Sequence, residues 1–407
     1  MVPIDLRPVT PDELPAFVRA NAVGFGEGNL PDDSGHAWVA HDLERTVGAF
    51  EGDDVVAGSR NYGLELTLPG GAVLPAAGVS WVSVLPTHRR QGLLRLMMSL
   101  LLDDAVERGE PVALLTASEG GIYRRFGFGV ATRALGLELD RQRVRFADAE
   151  PYGSARLVDP AAAVPVVARV FDRVRRSRPG AVSRPDAWWD GGWFEPWEKD
   201  RNRFVVIHEH DGEPDAFTLY ALEKDPRRTD GLYRLFVHEA VAADPRADAA
   251  LWRYLCGVDL VGTVVAPAAE PDTALPWRLE DPRACRVDGW PDFVWARPLD
   301  TAALLGARRY GVEGRLVLEV HDGFRPGGRA AGRFALDGGP GGAECTACDS
   351  EPDLVLDVAD LGAVVLGGVP PSVLVRAGRI EERHPGAASR ADAMFGAERQ
   401  PCAFTWF

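Results

Sequence analysis

Arg89, Arg90, Gln91 and Gly92 stand in a row and combine the two properties that a phosphate-bearing ligand demands: positive charge and a backbone open to close approach. They lie between a strand-like run ending at Leu85 and a stretch, Leu93 to Val106, whose apolar residues Leu93, Leu94, Leu96, Met97, Leu100, Leu101 and Ala105 recur at helical spacing. A helix starting at Leu93 would present its unpaired N–H groups and the positive end of its dipole to an anion. Gly92 keeps side-chain bulk away from that point, and Arg95 adds charge. The pyrophosphate of an acyl-CoA is an anion of this kind. Without the flanking strand and helix the run would be only a solvated basic loop.

A second cluster, Ser118-Glu119-Gly120-Gly121-Ile122-Tyr123-Arg124-Arg125-Phe126-Gly127-Phe128-Gly129, sets one tyrosine among glycines and arginines. Phenol, with a pKa of about 10, is reasonably matched to protonate a departing thiolate whose conjugate thiol has a pKa of about 8.5. The competing reading of Tyr123 is a core side chain with its hydroxyl satisfied by backbone. The chain closes on Cys402-Ala403-Phe404-Thr405-Trp406-Phe407, an apolar and aromatic ending that reads as packed, where an idle terminus would be polar and frayed.

Positioning such groups takes an α/β frame, and the first third of the chain supplies its pattern. A strand at Ile4 to Pro8, a helix from Pro11 to Val23, a hairpin around Glu51-Gly52-Asp53-Asp54, a long strand through Ala77 to Leu85 and a short one at Val112 to Thr116 are expected. A weaker copy of this order follows. Phe204 to His208, a turn at Asp211-Gly212, Ala216 to Leu222, Leu232 to Val237 and Ala247 to Cys256 repeat hairpin, strand and helix. In place of the basic loop the copy carries Ala242-Ala243-Asp244-Pro245-Arg246, with an acid and no glycine, so no anion is expected there. Beyond a boundary between Arg297 and Ala307, glycine-rich turns separate short alternating strands, the pattern of a small α+β domain.

With 407 residues, 46% of them hydrophobic and 26% charged, the chain has the composition of a soluble multidomain protein, and no apolar run is long enough to span a bilayer. A net charge of -15 argues against nucleic acid and makes cationic substrates more plausible, although charge alone reads first as acidity that keeps a soluble protein dispersed. The opening residues lack a signal-peptide pattern and the five cysteines form no disulfide framework, so a cytoplasmic protein is expected. Cys345 and Cys348, three apart and without a second pair, read as structural thiols, and no metal is expected. His36, His41 and His88 read as solvated, and the Trp188-to-Trp193 stretch reads as packing between domains or subunits.

Arg90-Gln91-Gly92-Leu93-Leu94-Arg95 resembles the acetyl-CoA loop of the GNAT superfamily, with Leu94 at the position of its second glycine or alanine. The Ser118-to-Gly129 segment is similar to the signature of the enhanced-intracellular-survival (Eis) acetyltransferases. This resemblance covers the whole chain. It implies a catalytic GNAT domain over residues 1–146, a degenerate GNAT-like domain over 147–298, and a sterol-carrier-like domain over 299–407. It further implies acetyl-CoA as co-substrate, bound by Val82, Ser83 and Val84 along the pantetheine, by Arg89 to Arg95 at the pyrophosphate, and by Ser118 and Glu119. A homohexamer, built as a pair of trimers, is implied as well.

From the same resemblance Tyr123 is the general acid, and the general base is the carboxylate of the terminal residue, Phe407. The acceptor would be an amine of a polyamine- or aminoglycoside-like molecule, lined by Phe25, Glu27, Asp32, Asp33, Trp38, Glu119 and Trp406. Two rival readings are a non-catalytic acyl-CoA or lipid-binding protein and a protein-lysine acetyltransferase. Retention of Tyr123 together with a packed Phe407 favours turnover over mere binding.

Overall fold

The computed structural model of the chain describes residues 4–28, 42–147, 152–191, 202–227 and 229–407. The first stretch runs β1 (Ile4–Pro8), α1 (Leu14–Gly24), β2 (Thr46–Glu51), β3 (Asp54–Thr67), β4 (Val73–Val84), α2 (Leu93–Glu107) and β5 (Val112–Thr116). The single turn α3 (Gly120–Tyr123), β6 (Gly129–Val130) and β7 (Leu135–Asp140) close it. The second stretch holds β8 (Ser154–Val158), α4 (Pro160–Arg175), α5 (Asp186–Gly191), β9 (Arg203–His210), β10 (Glu213–Lys224), β11 (Tyr233–Ala242) and α6 (Pro245–Gly257). After it come β12 (Val261–Ala269), β13 (Cys285–Gly289) and β14 (Val294–Pro298). The third has α7 (Thr301–Ala307), β15 (Gly314–His321), β16 (Gly332–Gly339), β17 (Gly342–Ala347), β18 (Leu354–Asp357), α8 (Val358–Val364), α9 (Pro371–Arg376), β19 (Ile380–Glu382) and α10 (Ala387–Phe395).

These strands form three sheets, ordered β1-β2-β3-β4-β5-β14-β6, β13-β7-β12-β11-β10-β9-β8 and β17-β16-β15-β18-β19. The first two repeat one plan, a meander of antiparallel strands followed by a helix and a parallel strand, as the internal repeat requires. They also exchange strands. β14 enters the first sheet between β5 and β6, with Val294 opposite Thr116 and Pro298 opposite Val112, while β7 crosses into the second sheet between β12 and β13. Sequence periodicity gave no hint of β14 because Val-Trp-Ala-Arg-Pro carries a charge and a proline inside a buried strand. The charge is answered locally: Arg297 is fully buried, 2.6 Å from Asp322 of the third domain, and donates to the Phe126 carbonyl at 2.6 Å.

Helix α2 buries a different face from the one its spacing suggested. Leu93, Met97, Met98, Leu101, Leu102 and Ala105 are covered, whereas Leu96 and Leu100 face outward. The sheet turns the helix so that Met98 and Leu102 take the inner positions, leaving two leucines of the apolar set on the solvent side.

The third domain is docked on the first through unusually close backbone contact. A Cβ on Gly129 of β6 would fall 1.8 Å from the Ala359 carbonyl oxygen of α8, and one on Gly362 would fall 2.1 Å from the Ala296 carbonyl oxygen. Only glycine fits at such separations. Asp360, wholly buried on α8, pairs with Arg124 at 2.9 Å and also with Arg379. Apolar side chains of the two domains, among them Leu66, Leu114, Val294, Leu318, Leu361 and Phe395, form one contiguous core. Overpacking at Gly129 has no route of relief, so Gly129→Ala is expected to lower stability by about 3 kcal/mol. Gly121→Ala, whose Cβ would meet nothing within 4 Å, is expected to leave stability unchanged, with thermal unfolding midpoints as the readout.

Candidate active site

The donor side begins at an irregularity in β4. Its register with β3 steps from Ser80 opposite Arg60 to Ser83 opposite Gly58, so Trp81 and Val82 bulge, and Trp81 takes a left-handed φ of 57°. That conformation costs a non-glycine residue roughly 1–2 kcal/mol. Several contacts offset it. The indole N–H donates to the Tyr62 hydroxyl at 2.9 Å, the ring stacks on Phe17, and Asn21 of α1 donates to the Trp81 carbonyl at 2.7 Å and to Ser83 Oγ at 3.0 Å. Parallel pairing of β4 with β5 accordingly stops at Val79 opposite Leu115. Past that point Ser83 and Val84 are paired toward β3 alone and Val82 bulges, so the other edge of this segment can receive an extended ligand.

At the end of β4 the chain turns through Arg90 and Gly92, both left-handed with φ of 64° and 86°, into α2, whose first turn has no side-chain cap. The N–H groups there stay open to an anion. Arg89 is already engaged with carbonyls, reaching Gly24 at 3.0 Å and Val84 at 3.3 Å, so it braces the loop against α1. Arg90 and Gln91 are exposed, and Arg95 lies over the Phe324 ring of the third domain at 4.8 Å. The corresponding helix of the second domain is closed. Asp244 caps α6 by accepting from the Arg246 and Ala247 N–H groups at 2.8 and 3.0 Å, which occupies the donors a phosphate would need.

Tyr123 ends α3 and is buried among Met98, Leu102, Leu115, Phe128 and Trp295, the last contributed by the exchanged strand β14. Its hydroxyl has no hydrogen-bond partner among the described residues. Burial, with a smaller contribution from the Glu119 charge, pushes its pKa above the ordinary phenol value, so the proton is held at neutral pH.

The last residues are threaded back between the first two domains. Cys402 N–H donates to the Pro179 carbonyl at 2.8 Å, Phe404 packs on Phe171, and Arg184 donates to Thr405 Oγ1 at 3.0 Å and to the Phe404 carbonyl at 3.2 Å. Trp406 sets its edge against Phe293. Phe407 then reaches the parting of β4 and β5: its ring lies over Gly78, and its main-chain oxygen accepts a 2.6 Å hydrogen bond from Thr116 Oγ1 at the end of β5.

Residues 5–131 and 180–298 each match a family model of the GNAT acetyltransferase domain, and residues 301–403 match that of a sterol carrier protein domain. An uncharacterized N-acetyltransferase of Streptomyces griseus is 38% identical over 416 residues, 98% of each chain. The N-acetyltransferase Eis of Mycobacterium tuberculosis is 38% identical over 406 residues, 96% of each chain. The crystal structure of Eis1 from Mycobacterium abscessus superposes with a TM-score of 0.87 at 32% identity, covering both chains fully. The chain belongs to the Eis-like N-acetyltransferases of the GNAT superfamily.

In this Eis-like acetyltransferase the structure seats Phe407 on Thr116 at the end of β5, and Val82, Ser83 and Val84 lie on β4 beyond its last pair with β5, with Tyr123 seven residues past Thr116. Glu119 is exposed at the start of α3, Trp406 is 55% exposed, and Phe25 and Glu27 are exposed just after α1, beside Gly24, which abuts Ser83. Trp38, Asp32, Asp33, His36, His41 and Trp193 lie outside the described residues. Trp188 does pack between domains, edge-on to Tyr62 of β3. His88 is held by Glu51 at 3.2 Å, and the thiol of Cys345 is pushed up to about 12 by burial.

Three positioning groups escaped sequence reasoning. Asn21 was legible in principle, as a polar residue on an apolar helix face. Thr116, a hydroxyl closing the run Val-Ala-Leu-Leu, was a fainter sign, and Arg184 gave none. Because α2 is open and α6 is capped by its own aspartate, calorimetric titration is expected to find one CoA site per chain. Gly92→Val, placing a branched side chain at a left-handed position, should weaken that binding by about tenfold or more, while Asp244→Ala should leave the stoichiometry unchanged.

Proposed function

We propose that this enzyme transfers an acetyl group from acetyl-CoA to an amine of a small polycationic molecule, polyamine- or aminoglycoside-like, with Tyr123 as general acid and the Phe407 carboxylate as general base. The observation that carries the reading is the seating of Phe407 on Thr116 at 2.6 Å, where β4 and β5 part. In this scheme Val82, Ser83 and Val84 align the pantetheine. The open first turn of α2, with Arg90, Gln91, Gly92, Leu93, Leu94 and Arg95, takes the pyrophosphate, Arg89 braces that loop, and Ser118 and Glu119 border the donor from the turn between β5 and α3.

The chemistry needs two proton movements. The Phe407 carboxylate takes the proton lost as the amine nitrogen forms its bond to the thioester carbonyl carbon. When the tetrahedral intermediate collapses and the C–S bond breaks, Tyr123 gives its proton to the leaving sulfur, yielding an amide and CoA thiol. Acidic and aromatic groups, Glu27, Glu119, Phe25 and Trp406, suit a cationic acceptor; Trp38, expected in the same lining, lies outside the described residues.

Donor and acid belong to a catalytic GNAT domain, 1–146; a degenerate copy spans 147–298; a sterol-carrier-like domain, 299–407, delivers the base. The reading places the enzyme in the cytoplasm. The reading includes a homohexamer, a pair of trimers, for which exposed Val287, Trp277 and Trp290 offer apolar surface, and it includes no nucleic-acid or membrane partner.

Thiol release from acetyl-CoA across a panel of amines tests the scheme. Polyamines and aminoglycosides should turn over, and Tyr123→Phe should lower kcat by about 10²–10⁴-fold with little change in the KM for acetyl-CoA. Absence of product with every amine would refute it. Because the Tyr123 pKa is raised, the acid stays protonated up to and beyond the ordinary phenol value of about 10. The pH profile of kcat should therefore show no loss from the acid between neutrality and that value.

A further inference from the structure

The second domain keeps the architecture of a donor cleft without the means to bind a donor. Its strand β11 bulges at His238, the register with β10 stepping from Val237 opposite Tyr220 to Glu239 opposite Leu219. Its parallel pairing with β12 ends at Phe236 opposite Val265. This is the construction seen at Trp81 and Val82 in the first sheet. Glu239, the first residue paired again beyond the bulge, therefore occupies the place that Ser83 holds in the first domain, where a pantetheine would lie.

That place is narrowed to a cavity of about 30 Å³ by the enzyme's own side chains. Glu239 and Arg184 are both buried and meet at 2.6 Å, the Arg184 side chain having no exposure at all. The Arg184 guanidinium also lies over the Phe171 ring, 3.9 Å from its centroid, and donates to Thr405 Oγ1 and the Phe404 carbonyl. Thr405 is itself fully buried, two residues before Phe407. Closer to the third domain, Arg399 is bound by Glu270 at 2.5 Å and Asp272 at 3.2 Å, both just after the end of β12. Both walls of the vestigial cleft thus grip the tail.

We infer that the degenerate domain's donor cleft has become a clamp, in which Arg184, fixed by Glu239, is the positioning residue that sets the Phe407 carboxylate at the reaction centre. This rests on the reading of Phe407 as general base. Arg184 touches no reacting atom; it acts through two residues of rigid chain.

The test uses the full-length enzyme. Arg184→Met/Glu239→Met removes the whole buried pair, so neither charge is stranded. It should lower kcat by about tenfold or more while the KM for acetyl-CoA stays within about twofold. A one-glycine extension beyond Phe407 acts on the same carboxylate, so its cost should be smaller in the double variant than in the wild type, the two losses combining to less than their product. Unchanged kcat in the folded double variant, or losses that multiply, would overturn the inference. An extended chain with full activity would instead refute the carboxylate reading itself, while an impaired extended chain beside a fully active double variant would refute only the clamp. Thr405→Val leaves the ion pair intact and deletes one hydrogen bond, and should lower kcat about fivefold. It decides the matter if the double variant does not fold, since an unchanged kcat there also overturns the clamp.

Discussion

The bulge at Trp81 and Val82 forces β4 away from β5, and each part of the candidate site uses the gap that results. Had the strands stayed paired, the amides of Val82 to Val84 would be consumed by the sheet and the end of β5 would face a neighbouring strand. The departure instead leaves an open edge for a donor and frees Thr116 to hold Phe407. A left-handed tryptophan is a costly way to make a bulge. Its persistence here follows from the Tyr62, Phe17 and Asn21 contacts, which fix the strained residue from three elements. Gly24 belongs to the same arrangement, since a side chain there would strike Ser83.

The rest of the molecule completes what the gap begins. β14, late in the chain, fills the first sheet beside β5 and contributes Trp295 to the seat of Tyr123. The signature around Tyr123 serves docking: Gly129 admits α8, Arg124 reaches buried Asp360, and the Phe126 carbonyl accepts from Arg297. Tertiary packing of this density has few alternative arrangements. The third domain, whose core is continuous with the first, is therefore a fixed platform from which the tail departs toward β5.

Much of this was written locally in the sequence. The hairpin at Gly52, the amphipathic α2, the basic loop before it and the acid replacing it at Asp244 depend on near neighbours, and periodicity and capping chemistry expose such features. What depended on distant partners stayed hidden. β14 looks like a linker until Asp322 is placed beside Arg297, and the exchange of β7 and β14 leaves no trace in spacing. Leu96 and Leu100 share the apolar rhythm of α2, yet the orientation of the sheet leaves them outside. Arg184 has no local mark because its partners, Glu239 and Thr405, are brought to it by the fold alone.

The account turns on the Phe407 carboxylate acting as a base, beyond its part in packing. Replacing it by a carboxamide through semisynthesis keeps the aromatic ring, the chain length and an oxygen that Thr116 can donate to, and removes only the basicity. Steady-state thiol release by the carboxamide enzyme is predicted to show kcat lowered by about 10²-fold or more, with the KM for acetyl-CoA unchanged. A carboxamide enzyme that turns over as fast as the carboxylate form would contradict the account.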